Sequence, residues 1–348
     1  MSDTNQRYDV VVVGGGAAGL SGALALSRAR RSVLVIDGGS PRNAPASHVH
    51  NYLGREGTPP QELLAIGRQE AAGYGAEIVE GTAVTAEKLP DGGFRVVRED
   101  GTETEARRLL VTTGLTDELP PVDGLAERWG REVLHCPYCH GWEVRDRPIG
   151  ILAGGPMAVH QALLWRQWSD DITLFLHTVP GLGDEEYEQL AARGIAVVDG
   201  EVTGLEVTDD RLTGVRLAGG RVVPREAVVV QPRFTARSGV LDGLGLRPTG
   251  LEMGGQVIGS YIAADQTTGA TEVPGVWVAG NVANLMEQVV GAANAGLRAG
   301  AVINADLVSE DTRRAVEARR AAPFSAEAER HVTGRVLGNR RHGLQEPR

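Results

Sequence analysis

The chain has two cysteines, and both stand in one run, Cys136-Pro137-Tyr138-Cys139, with His140 directly after. Two thiols at this spacing can close and open a disulfide. An imidazole beside them titrates near neutral pH and can carry the proton that each step moves. Two other chemistries share the pattern. Cys-x-x-Cys-His is the attachment signature of c-type haem, but attachment needs export, and the first nine residues lack the charged-then-apolar layout of a signal peptide. A zinc site takes four ligands, and His135, Cys136, Cys139 and His140 are packed too tightly in sequence to converge readily on one ion, so no metal is expected. Pro137 and Tyr138 restrict the turn, and a helix starting after Cys139 would lower a thiol pKa and favour the attacking thiolate. A redox disulfide is the preferred reading.

Such a pair needs a partner for its electrons, and the start of the chain offers a place for one. Residues 9–13 read as a short apolar strand, Gly14-Gly15-Gly16-Ala17-Ala18-Gly19 as a turn, 18–29 as an Ala-rich helix, and 32–36 as a second strand ending in Asp37. In this fingerprint Gly14 permits the tight turn, Gly16 lets the backbone approach a pyrophosphate, and Gly19 lets helix and strand pack closely. The helix N-terminus faces the phosphates, and Asp37 can accept hydrogen bonds from ribose hydroxyls. The fingerprint alone does not separate FAD from NAD. Over 76–113 come short strands with hairpin turns at Asp91-Gly92-Gly93 and Glu99-Asp100-Gly101, closing on an apolar strand that runs into Thr112-Thr113-Gly114.

The pattern then repeats. Residues 148–152 read as a strand, Ala153-Gly154-Gly155 as a turn, 158–167 as a helix and 172–176 as a strand, before a hairpin region over 197–230 with turns at Asp209-Asp210 and Gly219-Gly220. This is an internal duplication of a nucleotide fold. Residues 275–280 form one more buried strand and 288–307 a small-residue helix. The tail from 309, with nine Arg against six Asp and Glu, reads as a solvated extension that starts helical and frays. The length of 348 residues fits two domains or one large one, and 42% apolar residues suffice for real cores. A formal charge of −10 gives no reason to expect nucleic acid, and no apolar run reaches membrane-spanning length, so a cytoplasmic setting is expected. In that setting a cysteine pair is more often catalytic than structural.

The segment Pro274-Gly275-Val276-Trp277-Val278-Ala279-Gly280-Asn281, followed by Gln288-Val289-Val290, resembles the low-molecular-weight thioredoxin reductase family. In those two-domain flavoproteins a PGV-x-AAGD stretch touches the flavin ribityl chain and a QVV stretch the flavin ring. The resemblance covers roughly residues 8–308 in the right order. It implies an α/β fold of two Rossmann-like, three-layer ββα nucleotide-binding domains. Residues 1–115 and 247–308 would build a discontinuous FAD domain, 116–246 an inserted NAD(P)H-type domain carrying the cysteine pair, and 309–348 a charged C-terminal extension. FAD is the implied cofactor, held by Gly14, Gly16, Ala17, Ala18, Gly19, Asp37, Gly38, Asn51, Thr113, Gly114, Gly280, Asn281, Gln288 and Val289. Asn281 stands where the family usually has Asp, and it can still hydrogen-bond a hydroxyl. The resemblance makes Cys139 the flavin-side thiol and Cys136 the thiol that attacks substrate. The family's next residue is a proton-shuttling acid, and His140 stands in its place. A CPYC run also occurs in glutaredoxins, but there it follows the first strand of a small domain.

The run CPYCHGWE over 136–143 looks closest to the branch of gliotoxin- and holomycin-type dithiol oxidases, which make disulfides in small molecules and pass electrons to oxygen. The second fingerprint fits that branch. Ala153 holds its first glycine position, and Pro156, at the helix start, has no N–H for a pyrophosphate. The reductases place an Arg-rich segment after the next strand to hold a 2′-phosphate. Here the stretch is Leu176-His177-Thr178-Val179-Pro180, followed by the acids Asp184, Glu185 and Glu186. Lost or weakened binding of NADP(H) is expected. The expected function is oxidation of a small-molecule or peptide dithiol with oxygen as acceptor and peroxide as product. The alternatives are an NAD(P)H-dependent thioredoxin or disulfide reductase and a flavin-binding redox sensor without turnover. His48 and His50 would either line the dithiol pocket or sit in a polar surface loop. Tyr138 and Trp142 would border the substrate or pack in the core, and Arg233, Phe234 and Arg237 lie in a return linker. Relatives of this fold are commonly homodimers, so a homodimer is expected.

Overall fold

A computed structural model of the chain describes residues 7–90, 92–321 and 325–337. Asp91 of the first expected hairpin turn and residues 322–324 and 338–348 of the expected tail lie outside them. Contacts divide the chain into two compact units, Met1–Asn304 and Ala305–Arg348.

Strand β1 (Arg7–Val13) carries four consecutive valines buried on both faces, as a central parallel strand must be. Helix α1 (Ala17–Arg28) crosses over to β2 (Val33–Asp37), which pairs parallel with β1. Helix α2 (Pro60–Gly73) starts on a proline, whose missing N–H costs nothing at that position. It packs only part of one face, so its pattern was weak in the sequence. Strand β3 (Glu77–Glu80) joins the edge beside β2. The antiparallel meander β4 (Ala83–Lys88), β5 (Phe94–Arg98) and β6 (Glu103–Val111) returns β6 parallel to β1, giving the order β3-β2-β1-β6-β5-β4.

Strand β7 (Leu115–Glu118) leads away, and β8 (Val133–Leu134) runs into the cysteine helix α3 (Pro137–His140). The duplication then appears as β9 (Ile149–Leu152), α4 (Ala158–Trp165), β10 (Ile172–Phe175), α5 (Asp184–Ala192) and β11 (Ala196–Val198). A second meander follows, β12 (Val202–Thr208), β13 (Arg211–Leu217) and β14 (Val222–Pro224), with the expected turn at Asp209 and Asp210, both at positive φ. Strand β15 (Ala227–Val229) completes an all-parallel sheet in the order β11-β10-β9-β15-β8.

Strands β16 (Arg233–Ala236), β17 (Pro248–Met253) and β18 (Gln256–Ile262) join β7 in a mixed sheet, order β17-β18-β16-β7. This sheet was not expected, because β17 is polar and half-exposed and carries little periodic signal. Strand β19 (Val276–Val278) then pairs parallel with β6, so the far end of the chain completes the first sheet. Helix α6 (Val289–Ala321) runs past its expected end at 307, and α7 (Ala326–Leu337) follows. Ala, Glu and Arg favour helix in both described parts of this tail.

Candidate active site

Gly14 ends β1 at φ +106, a conformation open mainly to glycine. A β-carbon on Gly19 would lie 1.9 Å from the Gly14 carbonyl oxygen, so α1 can approach the turn only without a side chain there. A β-carbon on Gly16 would meet nothing within 4 Å. That open side faces a cleft of about 950 Å³. At the end of β2, Asp37 Oδ1 accepts the N–H groups of Gly15 at 3.1 Å and Gly39 at 3.3 Å, and Oδ2 pairs with Arg68. The Thr112 hydroxyl bonds the carbonyls of Val13 at 3.0 Å and Gly14 at 2.9 Å, pinning the end of β6 to the turn.

The cleft brings together nearly all of the residues expected from the sequence. Gly14, Gly16, Ala17, Ala18, Asp37, Gly38, Thr113, Gly114, Gly280, Asn281, Gln288 and Val289 line it, together with Cys136, Cys139 and His140. Gly19 and Asn51 are not among the lining residues. Gly19 packs behind the turn, and Asn51 instead donates its side-chain amide to the Tyr138 carbonyl at 2.6 Å. An uncovered helix start, a carboxylate at the end of β2 and a cleft of this volume fit the pyrophosphate and ribose of FAD.

Cys136 and Cys139 are joined in a disulfide, with Cα atoms 5.2 Å apart. The helix expected after Cys139 starts earlier. Cys136 is the N-cap of α3, and the N–H groups of Cys139 and His140 donate to its carbonyl at 3.2 and 3.1 Å. Pro137 has the fixed φ that suits the first helical position, so the turn begins between the cysteines and Cys136 stands at its start.

Both ring nitrogens of His140 are buried without a hydrogen-bond partner. Burial pushes its pKa below the ordinary histidine value, against the pull of Glu143, and His50 adds to the lowering. His48 and His50 line the cleft with rings 6.0 Å apart. Tyr138 lines the cleft too and meets Trp168 edge-on at 5.6 Å. Trp142 is 66% exposed and lies outside the lining, with the Arg145 guanidinium 4.1 Å over its ring; it neither packs in the core nor borders the cleft. Phe234 and Arg237 line the cleft, whereas Arg233 does not.

Arg42 escaped notice in the sequence, where it is one arginine in a loop. It grips Asp117 with two bonds of 2.8 and 2.7 Å, stacks 5.1 Å over Phe234, and reaches Asn281 Oδ1 at 3.4 Å. The Asn281 amide donates to the carbonyls of Asn284 at 3.1 Å and Glu287 at 3.0 Å, so it holds the loop that leads into Gln288.

The second phosphate turn is crowded on one side by the chain itself. A β-carbon on Gly155 would lie 2.5 Å from Gln256 Oε1, and one on Gly254 would lie 2.6 Å from Pro156 Cγ, because the tip of the β17–β18 hairpin rests on this turn. After β10, His177 Nδ1 accepts the Val202 N–H at 3.1 Å, so that nitrogen carries its lone pair inward. Burial lowers the pKa of His177.

Residues 8–296 match the pyridine nucleotide-disulphide oxidoreductase family. The solved structure of HlmI is 46% identical, with a TM-score of 0.83, over 90% of this chain and 97% of that one. An oxidoreductase from Agrobacterium tumefaciens is 35% identical, with a TM-score of 0.80, over 87% of this chain and 99% of that one. Thioredoxin reductase sirT of Leptosphaeria maculans is 32% identical over 87% of this chain and 95% of its own length. Among the described residues no helix is long and apolar enough to cross a membrane. With the cysteine disulfide in the lining of a cleft that fits a dinucleotide, the chain belongs to the pyridine nucleotide-disulphide oxidoreductase family as a flavin-dependent enzyme acting on disulfides.

Proposed function

We propose that this enzyme is a dithiol oxidase that forms a disulfide in a small-molecule or peptide dithiol, with oxygen as acceptor and peroxide as product. The observation that carries the reading is the contact of Gln256 and Gly254 with the second phosphate turn. A pyridine nucleotide would need that turn bare, and NADP(H) a cation beside it for its 2′-phosphate. Gln256 crowds Gly155, Pro156 offers no N–H, and His177 spends a ring nitrogen on Val202.

In the half-reaction with substrate, a thiolate of the dithiol attacks Cys136 Sγ and the Cys136–Cys139 bond breaks. The second substrate thiol then displaces Cys136, which closes the substrate disulfide and leaves the enzyme pair reduced. His140 takes the proton that a thiol releases, since its burial keeps the ring neutral near pH 7. FAD, when bound, would supply the two-electron acceptor for the reduced pair and the electron donor for oxygen. Gly14, Gly16, Ala17, Ala18 and Asp37 would hold its adenosine and pyrophosphate end, and Gly280, Asn281, Gln288 and Val289 its other end. With this reading goes a division into an FAD part, 1–115 and 247–308, and an inserted part, 116–246, in a cytoplasmic homodimer.

Anaerobic titration of the purified yellow protein tests it. Bleaching by a small dithiol, with recovery and peroxide on admitting air, is expected. Rapid bleaching by NADPH or NADH would instead make the enzyme a reductase.

A further inference from the structure

The chain has four methionines, and the three beyond Met1 all line the cleft that holds Cys136 and Cys139. They come from separate elements. Met157 is the N-cap of α4, Met253 ends β17, and Met286 lies in the loop before α6. The fold sets these elements against one another. Pro156, beside Met157, meets Gly254, beside Met253, where a β-carbon would lie 2.6 Å from Pro156 Cγ. A β-carbon on Gly259, beside Ile258, would lie 2.9 Å from Cδ1 of Leu285, beside Met286. Helix α4 adds a face to this surface. Met157, His160, Gln161 and Leu164 stand at the spacing of one side of a helix and all line the cleft, while Ala158, Val159 and Ala162 pack into the core. At the far end of α4, Trp165 meets Trp168 at 6.1 Å, and Trp168 meets Tyr138, between the cysteines, at 5.6 Å. The row therefore runs from the tip of the β17–β18 hairpin to the redox turn.

No side chain in this row is a carboxylate, an ammonium or a guanidinium. The charged groups elsewhere in the lining have partners. Asp37 pairs with Arg68 and Asp117 with Arg42, and Glu287 Oε1 accepts from the Asn284 amide at 3.3 Å. Arg237 donates to Thr116 Oγ1 and to the Ser40 carbonyl, each at 3.1 Å. A carboxylate brought onto the α4 face would lose water and gain no cation. A neutral amide can exchange hydrogen bonds with Gln161, whose side chain both donates and accepts. Unbranched, polarizable methionines mould themselves to an irregular apolar shape. We propose that the α4 face and the three methionines recognise the body of the dithiol, and that this body is uncharged and largely apolar, with an amide-like group for Gln161. The inference rests on the dithiol reading given above and adds the class of molecule. His160, Gln161 and Leu164 are specificity-determining residues, which touch the body of the substrate and leave the sulfur atoms to the redox turn.

Dihydrolipoamide and dihydrolipoate test this in the holoenzyme, by anaerobic stopped-flow bleaching of the flavin at about pH 7.5, where the acid is ionised. The two carry the same dithiol on the same apolar arm and differ only at its far end, amide against carboxylate. At equal, limiting concentration the wild type is expected to react with dihydrolipoamide at least about tenfold faster. Gln161→Arg and His160→Arg are each expected to shift that ratio at least about tenfold toward dihydrolipoate, because a guanidinium on this face gives the carboxylate a partner. His160 is exposed, so its variant keeps the test open should Gln161→Arg misfold. A wild type that reacts equally with both, or with neither while dithiothreitol reduces it, would overturn the recognition site alone. A ratio left unchanged in the folded variants would overturn it too. A wild type that dithiothreitol also fails to reduce would sink the dithiol reading itself and the site with it.

Discussion

The side-chain amide of Asn51 donates to the carbonyl of Tyr138 at 2.6 Å, and this one bond ties the 48–58 loop to the redox turn. Asn51 takes φ +60, which asparagine tolerates better than most residues. Asn51→Ala should free the loop and slow dithiol oxidation about tenfold, the scale of one lost hydrogen bond of ~1.4 kcal/mol. Steady-state oxygen uptake measures this. Flavin content at the wild-type level would show that the loss lies at the cysteines.

Gly16 and Gly19 should fail in different ways. Alanine at 19 collides with the Gly14 carbonyl and should cost roughly 1–3 kcal/mol or more of stability, seen as a lower melting temperature of the apoprotein. Alanine at 16 meets no protein atom, and φ −77 suits it. Gly16→Ala should therefore leave the apoprotein's melting temperature unchanged and lower its flavin occupancy. An apoprotein destabilised as much by Gly16→Ala as by Gly19→Ala would contradict this account of the turn.

Asn281→Asp restores the residue usual in thioredoxin reductases, but here it should harm. A carboxylate cannot donate to the carbonyls of Asn284 and Glu287, and it would face them with charge. The gain toward Arg42 is limited, because that guanidinium already grips Asp117. The expected cost is about 1–3 kcal/mol, measured by denaturant unfolding of the apoprotein.

The pH dependence follows from the buried imidazole of His140. Its pKa is lowered, chiefly by burial, so the neutral, proton-accepting form persists as pH falls through the ordinary value of about 6.5 and is lost only below it. The acid limb of the rate of dithiol reduction should therefore lie below about pH 6.5 in stopped-flow profiles, and a limb above that value would exclude His140 as the base.

Much of this enzyme was written in local sequence. The apolar run 10–13, the spacing of Gly14, Gly16 and Gly19, and the acid at 37 dictate a strand, a turn and a helix whose start is bare. These features depend on backbone sterics a few residues apart. The two cysteines also announced their chemistry, because their spacing alone permits a disulfide. What local pattern could not supply was anything that depends on distant partners. The β17–β18 hairpin has weak periodicity, and nothing in it signals that Gln256 lies against Gly155. Arg42 gains meaning only when Asp117, Phe234 and Asn281 come to surround it. Pro137 drew the helix start forward, but only the folded turn showed Cys136 as its cap. His50 could be a pocket residue or a surface-loop histidine until the fold set Glu56 and Glu143 on either side of its ring. Burial, tautomer and hydrogen-bond partners are properties of the whole packed chain, and the tertiary structure alone decided them.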